Sequence, residues 1–374
     1  MSSRFSSPRR EEVDARSTGR VGKAKRAHHR VGTALHAFAH PTVFIAFALV
    51  LFAHPALAQK RAPEPPARIE IAAAPIDAFD PRAPSQVRFG ALEFRGGMAL
   101  TSSHRDFGGL SAIRVGPDGA QFVALTDKAH WLTGRIVYDG ERRPRAIAAA
   151  VMAPMLGPDG RTLAARGWYD TESLAQDGGT LYVGIERVNR IVRFDFGRLG
   201  MLARAEPIPA PPAVAKLPHN KGLEAMEIVP KGQPLAGTLI AISERGLDQQ
   251  GNIRGFLIGG PTPGEFSIKR SDDFDITDCA LLPSGDLLVL ERRFFLWSGV
   301  AMRIRRVPQS AIAPGALVDG ATLIFADMAY QIDNMEGLSV HRNQQGEIIL
   351  TLVSDDNFSA VQRTLLLQFR LVEE

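Results

Sequence analysis

The sequence has little of what marks several common protein classes. Its single cysteine, Cys279, rules out a disulfide within the chain. The uncharged apolar run VFIAFALVLFA, residues 43–53, has eleven residues, whereas a membrane-spanning helix needs roughly 20. The motifs G-x-S-x-G and H-E-x-x-H and a glycine-rich phosphate loop are also absent. These absences leave disulfide-stapled scaffolds, nucleophile-elbow serine hydrolases, zinc proteases and P-loop nucleotide hydrolases without support.

The short apolar run is instead typical of a secretory signal. It follows a basic lead, since residues 1–40 carry a net charge of +6, and it precedes the small-residue site ALA at 56–58. We predict a signal peptide over residues 1–58 and a periplasmic or secreted protein with no stable membrane span after cleavage. An uncleaved membrane anchor is the alternative. The pair Arg9-Arg10 leaves open whether export uses the general secretory or the twin-arginine route.

Removal of this lead changes the charge of the protein. The whole chain has a net charge of +4, so the part after residue 58 has a net charge near −2. The basic character therefore comes from the lead and does not indicate nucleic-acid binding. Residues 59–86 are rich in Pro and Ala and are typical of a tether that leads into a first strand, RIEIAAAPI. Residues 87–374 form the predicted folded domain, which is long enough to bury a core without disulfides.

Short β-rich runs fill this domain between Gly, Pro, Asp and Asn turns, and no long stretch has helical periodicity. Five hairpins repeat one pattern: a short apolar strand, a turn with Gly, and a longer strand that ends on an acid. The positions that open the first strand lie 64, 52, 54 and 58 residues apart and are Gly108, Glu172, Glu224, Asp278 and Glu336. The acids that close the second strand are Asp127, Glu186, Glu244, Glu291 and Asp355. The repeat predicts an all-β protein built from similar units.

A period of this size, filled only by short strands, favours a single β-propeller with about four strands in each blade. The length after the signal peptide, divided by the spacing, gives roughly five to six blades, and we predict six. We expect the sixth to be divided between the chain ends, with VRFGALEFRG at 87–96 joining RTLLLQFRL at 363–371. Such closure hides the free edges of the terminal strands. A twisted open sandwich of similar hairpins is the competing architecture.

Repeated residues at the start of the innermost strands converge on the channel of a propeller. Four of the five opening positions are acidic, and Asp170 and Asn334 each lie two residues before an acid, on the same face of the strand. Carboxylates held close together repel unless a cation joins them, and oxygen clusters suit Ca²⁺. The candidate metal ligands are Asp170, Glu172, Glu224, Asp278, Asn334 and Glu336. A purely structural role, in which these acids accept N–H bonds from turns, has equal weight.

A cation directly follows four of the strand-closing acids. If these cations gather on one face, they would bind a phosphate or carboxylate, for which Arg has a matching fork of donors. Salt bridges between blades are the alternative. The candidates are Lys128, Arg187, Arg245 and Arg292. No catalytic residue is identifiable, and Cys279 lies in an apolar strand, so we expect a buried, inert thiol.

The repeated segments resemble the phytase-like family, which is described as having esterase-like activity of phytase. The resemblance covers about residues 88–371 and rests on FGGLSAI with ALTD, DTESLA with ERVNRIVRFD, NKGLEAMEIVP with ISERG, DCALLPSGDLLVLERRF, and NMEGLSVH with LVSDDNF. It implies an exported bacterial β-propeller, distantly similar to calcium-dependent propeller phytases, which hold phosphate with Lys/Arg and several Ca²⁺ ions. The first repeat departs from the pattern, with Gly108 in place of the acid and Asp127-Lys128 in place of Glu-Arg.

Two functions are consistent with these features. The first is an exported hydrolase that acts on small phosphoester or carboxyester substrates with bound Ca²⁺. The second is a non-catalytic propeller of the cell envelope that binds a ligand or a protein at the same channel mouth. We expect a monomer in both cases. The fold by itself does not choose between the two.

We expect signal cleavage after Ala58, which leaves Gln59 as the first residue, because Ala56 and Ala58 supply the small residues that the cleavage site requires. Mass spectrometry of the exported protein measures this N-terminus. An intact N-terminal segment on purified membranes would support the anchor instead.

Overall fold

The structure, a computed structural model, describes residues 63–372. The predicted signal peptide and the first residues of the predicted tether lie outside the described residues. The described chain is almost entirely β-structure. Its helical segments are the short helix α1 (Phe196–Leu199) and 3₁₀ turns at Ala164–Arg166, Glu186–Val188, Gly200–Leu202, Val214–Lys216 and Gln309–Ala311. Over residues 63–372, no helix has the length and apolar character needed to cross a membrane.

The strands follow one another in short hairpins along the chain. The first third of the described chain contains β1 (Ala67–Arg68), β2 (Ala72–Ile76), β3 (Arg88–Phe89), β4 (Leu92–Thr101), β5 (Leu110–Val115), β6 (Gln121–Thr126), β7 (His130–Tyr138) and β8 (Pro144–Pro154). The middle contains β9 (Thr171–Asp177), β10 (Thr180–Ile185), β11 (Arg190–Asp195), β12 (Glu206–Pro207), β13 (Leu223–Ile228), β14 (Thr238–Leu247), β15 (Ile253–Gly259) and β16 (Gly264–Ile268). The last part contains β17 (Asp275–Leu281), β18 (Leu287–Phe295), β19 (Gly299–Val307), β20 (Leu317–Val318), β21 (Ala321–Asp327), β22 (Asn334–Arg342), β23 (Ile348–Asp355) and β24 (Thr364–Leu371).

Within residues 63–372 these strands form five sheets, which are the blades of a propeller. The first four blades, from the innermost strand outwards, are β5-β6-β7-β8-β1, β9-β10-β11-β12, β13-β14-β15-β16-β20 and β17-β18-β19-β21. The fifth is β22-β23-β24-β4-β2, with β3 attached to β4. The five innermost strands pack side by side in a closed ring, β5 against β9, β9 against β13, β13 against β17, β17 against β22 and β22 against β5. The all-β propeller prediction is confirmed.

The predicted number of six blades is wrong, although the predicted pairing of the chain ends is present. Strand β4 near the N-terminal side pairs with the C-terminal β24, from Leu92↔Leu371 to Leu100↔Thr364. These strands do not make a blade of their own. They complete the blade whose inner half is the hairpin β22-β23, because β24 also pairs with β23. Giving the chain ends a blade of their own counts this blade twice.

The segment before the predicted domain also joins the sheets. Strand β1 pairs with β8 at the outer edge of the first blade, and β2 pairs with β4 in the fifth. Residues from 67 onwards in the predicted tether therefore contribute to two neighbouring blades. Their backbone groups cover sheet edges that would otherwise be free to pair with another chain.

Turn chemistry explains why the inner hairpins fold back tightly. In the first blade the Asp118 carboxylate accepts the N–H groups of Ala120 and Gln121, both at 3.0 Å. Gly119, the third residue of the turn PDG, has φ +70°, a conformation that costs little without a Cβ. The turn PSG of the fourth blade repeats the feature with Gly285 at φ +94°. The sequence turns thus set the length of the innermost strands.

The core is divided among the contacts between blades. Each of five clusters of buried apolar side chains joins two neighbouring blades, including the pair formed by the fifth and the first. Between the fourth and fifth blades, Phe79, Phe94 and Phe369 pack edge to face or tilted, with ring centroids 5.0–5.5 Å apart. Such aromatic packing adds to the free energy of burial. Closure of the ring is therefore an energetic requirement, since each blade buries its faces only against its two neighbours.

Deletion of residues 364–374 is expected to unfold or aggregate the protein. The deletion removes β24, whose Leu365, Leu366, Leu367 and Phe369 are at most 1% exposed, and it exposes the edges of β23 and β4. Thermal unfolding followed by circular dichroism measures the effect. Deletion of residues 373–374 alone is the matched control and should leave the transition in place. An unchanged midpoint in the longer deletion would contradict the closure.

Candidate metal centre

Each inner hairpin carries one bulged residue close to the same end of the propeller. The register of the first strand slips by one residue against its partner, so that one side chain is unpaired and turned out of the ladder. The bulged residues are Ser111, Glu172, Glu224, Thr277 and Glu336. Three of them are acids that the sequence predicts as metal ligands. In the first and fourth blades the equivalent position holds a hydroxyl residue instead.

The end of the second strand meets the start of the first in every inner hairpin. The N–H group of Glu244 donates to the carbonyl of Gly222 at 2.8 Å, and that of Glu186 donates to the carbonyl of Asp170 at 2.8 Å. The residues at this closing position are Asp127, Glu186, Glu244, Arg292 and Asp355. Antiparallel pairing therefore places the opening and the closing acid of one hairpin together at the channel mouth.

In the first and fourth repeats, the residue predicted to open the strand is not the bulged residue. In the fourth blade Ile276 pairs with Glu291 and Asp275 with Arg292. Thr277 is thus the bulged residue rather than Asp278, and Arg292 stands where the other blades have an acid. In the first blade the bulged residue is Ser111 rather than Gly108. A one-residue slip reverses the face to which a side chain points.

Three glutamates of the second and third blades come closest together. Glu186, Glu224 and Glu244 each place one carboxylate oxygen within 4.8 Å of the other two. The N–H group of Gly222 donates to Glu186 Oε1 at 2.7 Å and orients that carboxylate. A Cβ at position 222 would lie 2.7 Å from Glu186 Cγ, so a larger residue would displace the glutamate. We refer to these three residues as the glutamate triad.

Two cations border the triad. Lys221 Nζ forms an ion pair with Glu244 Oε2. Arg292 Nη2 lies 3.4 Å from Glu244 Oε1, and its Nε lies 3.3 Å from Glu336 Oε1. The opening and closing positions together hold seven carboxylates. Lys128 also acts on Asp127, and three cations against seven carboxylates leave a net negative charge.

The remaining charge raises the pKa of these carboxylates. Burial, followed by repulsion from Glu336, raises the pKa of Glu172 well above its usual range. Burial and the neighbouring Glu172 and Glu244 do the same to the pKa of Glu224. Burial raises the pKa of Glu336 to about 8, although Arg292 opposes the shift. The cluster therefore resists full ionisation unless a cation binds.

Two carboxylate oxygens at the channel mouth lack hydrogen-bond donors. Within the described residues, Glu336 Oε2 and Asp127 Oδ1 are buried and have no hydrogen-bond partner. Burial and the nearby Asp355 raise the pKa of Asp127 to about 7. Burial and Asp356 raise the pKa of Asp355 to about 6. Unpaired oxygens of this kind are costly in a folded protein, and they are ligand atoms that a hard cation accepts.

The structure separates the predicted metal ligands into two groups. Glu172, Glu224 and Glu336 lie together at the mouth, and Asn334 pairs with Asp355 at the start of β22. Asp170 lies beside them, half-buried, with burial raising its pKa. Asp278 lies apart from this cluster. Its Oδ2 accepts hydrogen bonds from Arg114 Nη1 at 3.1 Å and from the N–H group of Leu338 at 2.8 Å, so those contacts occupy its carboxylate.

The four predicted cations make different contacts. Arg292 lies in the acid cluster, whereas Arg245 forms an ion pair with Asp275. Arg187 lies 4.9 Å from the centre of the Tyr169 ring, and Lys128 lies over the ring of Phe358. Of these contacts, the ion pair between Arg245 and Asp275 joins the third and fourth blades, as in the alternative of salt bridges between blades.

Sequence reasoning did not include Glu186, Glu244 or Lys221 among the ligands. The first two are strand-closing acids, whereas the predicted ligands lie at or near the strand-opening positions. Their position beside the opening acids could have been predicted, because in an antiparallel hairpin the last residue of one strand faces the first residue of the other. Lys221 has no equivalent in the other repeats, because only the third blade has a Lys-Gly pair, Lys221-Gly222, shortly before its bulged residue. Cys279 is fully buried, as expected, and burial raises the pKa of its thiol.

Fold and site together define a five-bladed β-propeller with an acid-lined mouth at one end of its channel. The family described as phytase-like, esterase-like activity of phytase, matches residues 105–358, which is more than half of the chain. The chain belongs to this family. No curated protein matches it significantly.

Several solved structures resemble the chain in fold. U3-55K is 10% identical, with a TM-score of 0.34, and the match covers 71% of this chain and 96% of that one. A putative oxidoreductase (glucose dehydrogenase) from Thermus thermophilus is 15% identical, with a TM-score of 0.31 and coverage of 79% and 100%. Dihydro-heme d1 dehydrogenase NirN, in complex with DHE, is 13% identical, with a TM-score of 0.30 and coverage of 75% and 54%. TM-scores this low carry no argument about function.

Without divalent cations, the free energy of unfolding is expected to fall as pH rises from about 4 to about 8. The folded-state pKa values of Asp355, Asp127 and Glu336 are about 6, 7 and 8, above the values of about 4 in an unfolded chain. The native state therefore binds more protons than the unfolded state over this range, and stability is lost as these protons leave. Chemical denaturation in EDTA at several pH values measures the slope.

Glu224→Gln is expected to reduce this pH dependence and to raise the melting temperature at pH 8 in EDTA, because it removes one charge from the repelling cluster. Glu70→Gln is the matched control, since Glu70 is exposed. An unfolding free energy that rises between pH 5 and pH 8 in both variants and in the unsubstituted protein would contradict the repulsion among the acids.

Proposed function

We propose that this protein is an exported hydrolase of small phosphoester or carboxyester substrates that depends on bound Ca²⁺. The observation that carries the proposal is the glutamate triad, in which three carboxylate oxygens lie within 4.8 Å of one another. The triad lies at the mouth of a propeller channel, where repeated residues from all five blades converge. Membership of the phytase-like family supports an ester as the substrate class.

The ligand atoms fit a hard divalent cation. The opening and closing positions offer carboxylate and hydroxyl oxygens and no Cys or His, so the set suits Ca²⁺ rather than zinc or copper. Ca²⁺ takes about 6–8 oxygen ligands, and Glu186, Glu224 and Glu244 would hold it, with Glu172 beside them. The raised pKa of Glu224 supports this, since a cation removes the repulsion from Glu172 and Glu244 that contributes to it.

Lys221 and Arg292 favour an anionic substrate. Both border the triad, and both pair with Glu244. A cation that takes over Glu244 would release their N–H groups for the oxygens of a phosphoryl group, with which Arg forms paired hydrogen bonds. A phosphoester therefore suits the mouth better than a neutral carboxyester.

The chain also offers a proton acceptor close to neutral pH. Burial raises the pKa of Asp127 to about 7, and a general base works best near the operating pH. A bound Ca²⁺ would polarise the scissile group and lower the pKa of a water molecule. Asp127 would then accept the proton of that water.

Hydrolysis of p-nitrophenyl phosphate and p-nitrophenyl acetate by the purified protein tests the proposal. We expect turnover in Ca²⁺, no turnover in EDTA, and recovery when Ca²⁺ is restored. Glu224→Gln should lower activity at least about tenfold, the effect of losing one charge-assisted contact. Glu70→Gln, which changes an exposed acid in the same way, should retain full activity.

Calorimetric titration with Ca²⁺ separates the ways in which the proposal can fail. Ca²⁺ binding without turnover of any ester would favour the non-catalytic binding propeller. No Ca²⁺ binding, together with an unchanged melting temperature, would remove the metal centre, since a ligand that binds only the native state must stabilise it.

A further inference from the structure

A second cavity lies at the opposite end of the propeller, between the first and fifth blades. Strand β22 runs from Glu336 at the acid-lined mouth to His341 at the cavity, five residues or about 16 Å along a strand. The cavity has a volume of about 210 Å³, and its lining includes Arg95, Asp118, Tyr138, Arg142, His341 and Gln368. This volume is below the roughly 300–1,000 Å³ of pockets for drug-sized ligands, so it suits a small molecule.

The cavity presents more cationic donors than acids. The guanidinium group of Arg142 forms no ion pair or hydrogen bond with residues 63–372, whereas its neighbour Arg143 pairs with Glu141 at 3.1 Å. The Asp139 carboxylate accepts the N–H groups of Glu141 and Arg143, both at 2.9 Å, and thereby holds the turn that presents Arg142. An unpaired arginine on a braced turn is a ready anion ligand.

The other charged groups of the cavity lining do not cancel this excess of positive charge. Arg95 supplies a second guanidinium, of which Nη1 lies 3.2 Å from Glu93. Asp118 is the acid of the lining, and its Oδ1 already accepts two turn N–H groups. Two guanidinium groups therefore face one carboxylate whose hydrogen bonds serve its own turn.

The wall of the cavity contains a buried imidazole with an unused nitrogen. His341 is 8% exposed, and its Nδ1 is buried with no hydrogen-bond partner in the described chain. Burial lowers the pKa of His341 and so favours its neutral form. The ring can approach because residue 119 is glycine: a Cβ there would lie 2.8 Å from His341 Nε2.

Hydrogen bonds hold the rest of the wall in place. Tyr138 Oη donates to the carbonyl of Gly119 at 2.5 Å and accepts a hydrogen bond from Gln368 Nε2 at 2.9 Å. Gln368 Nε2 also donates to Thr351 Oγ1 at 3.0 Å. The ring of Tyr138 is therefore fixed, and a ligand would meet a preformed surface rather than a mobile side chain.

We propose that this cavity binds a small organic anion, whose carboxylate or phosphate group contacts Arg142 and Arg95 and whose body packs against Tyr138 and His341. The acid-lined mouth takes no part in this site. The inference is therefore independent of the proposed hydrolase activity.

Calorimetric titration of the intact protein with phenyl phosphate, benzoate and neutral benzamide tests the proposal. We expect at least one anion to bind and benzamide not to bind. Arg142→Gln should weaken binding at least about tenfold, as expected for loss of a hydrogen bond to a charged group. Arg143→Gln, the same change one residue further along the turn and outside the lining, should leave the affinity unchanged. Binding should also shift the imidazole ¹⁵N resonances of His341.

The anion that binds more tightly identifies the head group as phosphate or carboxylate. The proposal would be overturned if neither anion bound, or if Arg142→Gln and Arg143→Gln weakened binding equally, which would indicate general charge attraction. Binding that left the His341 resonances unchanged would place the anion elsewhere and would also overturn it.

Discussion

The buried ion pair between Arg114 and Asp278 in the channel is the interaction on which the rest of the structure depends. Both side chains are buried, and Arg114 Nη1 lies 3.1 Å from Asp278 Oδ2. The same guanidinium donates to the carbonyls of Leu338 at 2.9 Å and Met226 at 2.8 Å. One side chain of β5 thus binds β13, β17 and β22, so that four of the five inner strands share it. Loss of one partner of a buried pair costs about 3–5 kcal/mol.

This contact also shapes the acid-lined mouth. Arg114 follows Ser111 by three residues, so its guanidinium crosses the channel about 10 Å along the strand from the bulged position. The carboxylates at the mouth are buried, which raises their pKa values. The apolar clusters between blades supply the stability that outweighs this repulsion. A cation at the mouth would relieve the repulsion without any change of fold.

The departures from five-fold symmetry give the mouth its chemistry. If all five blades had acids at both the opening and the closing position, the mouth would be a symmetric ring of ten acids that repel one another. The fourth blade instead has Thr277 and Arg292 where the second and third have glutamates. Arg292 neutralises Glu336 and Glu244 from one side, and Lys221 approaches Glu244 as well. The triad is thereby left as the densest group of carboxylates, next to two cations. The repeats form the acid-lined mouth. The residues that differ between the repeats decide where a cation and an anion can bind.

The sequence by itself determined the all-β class, the repeated hairpin and the pairing of the chain ends, because these depend on local turn chemistry and on strand periodicity. It also pointed to Glu172, Glu224 and Glu336. Only the tertiary structure decided that the terminal strands complete a fifth blade, that Thr277 rather than Asp278 is bulged, and that Glu186 and Glu244 join Glu224. These features depend on register, where a slip of one residue changes the face of a strand. Registers between distant strands are set by packing and hydrogen bonding in the closed ring.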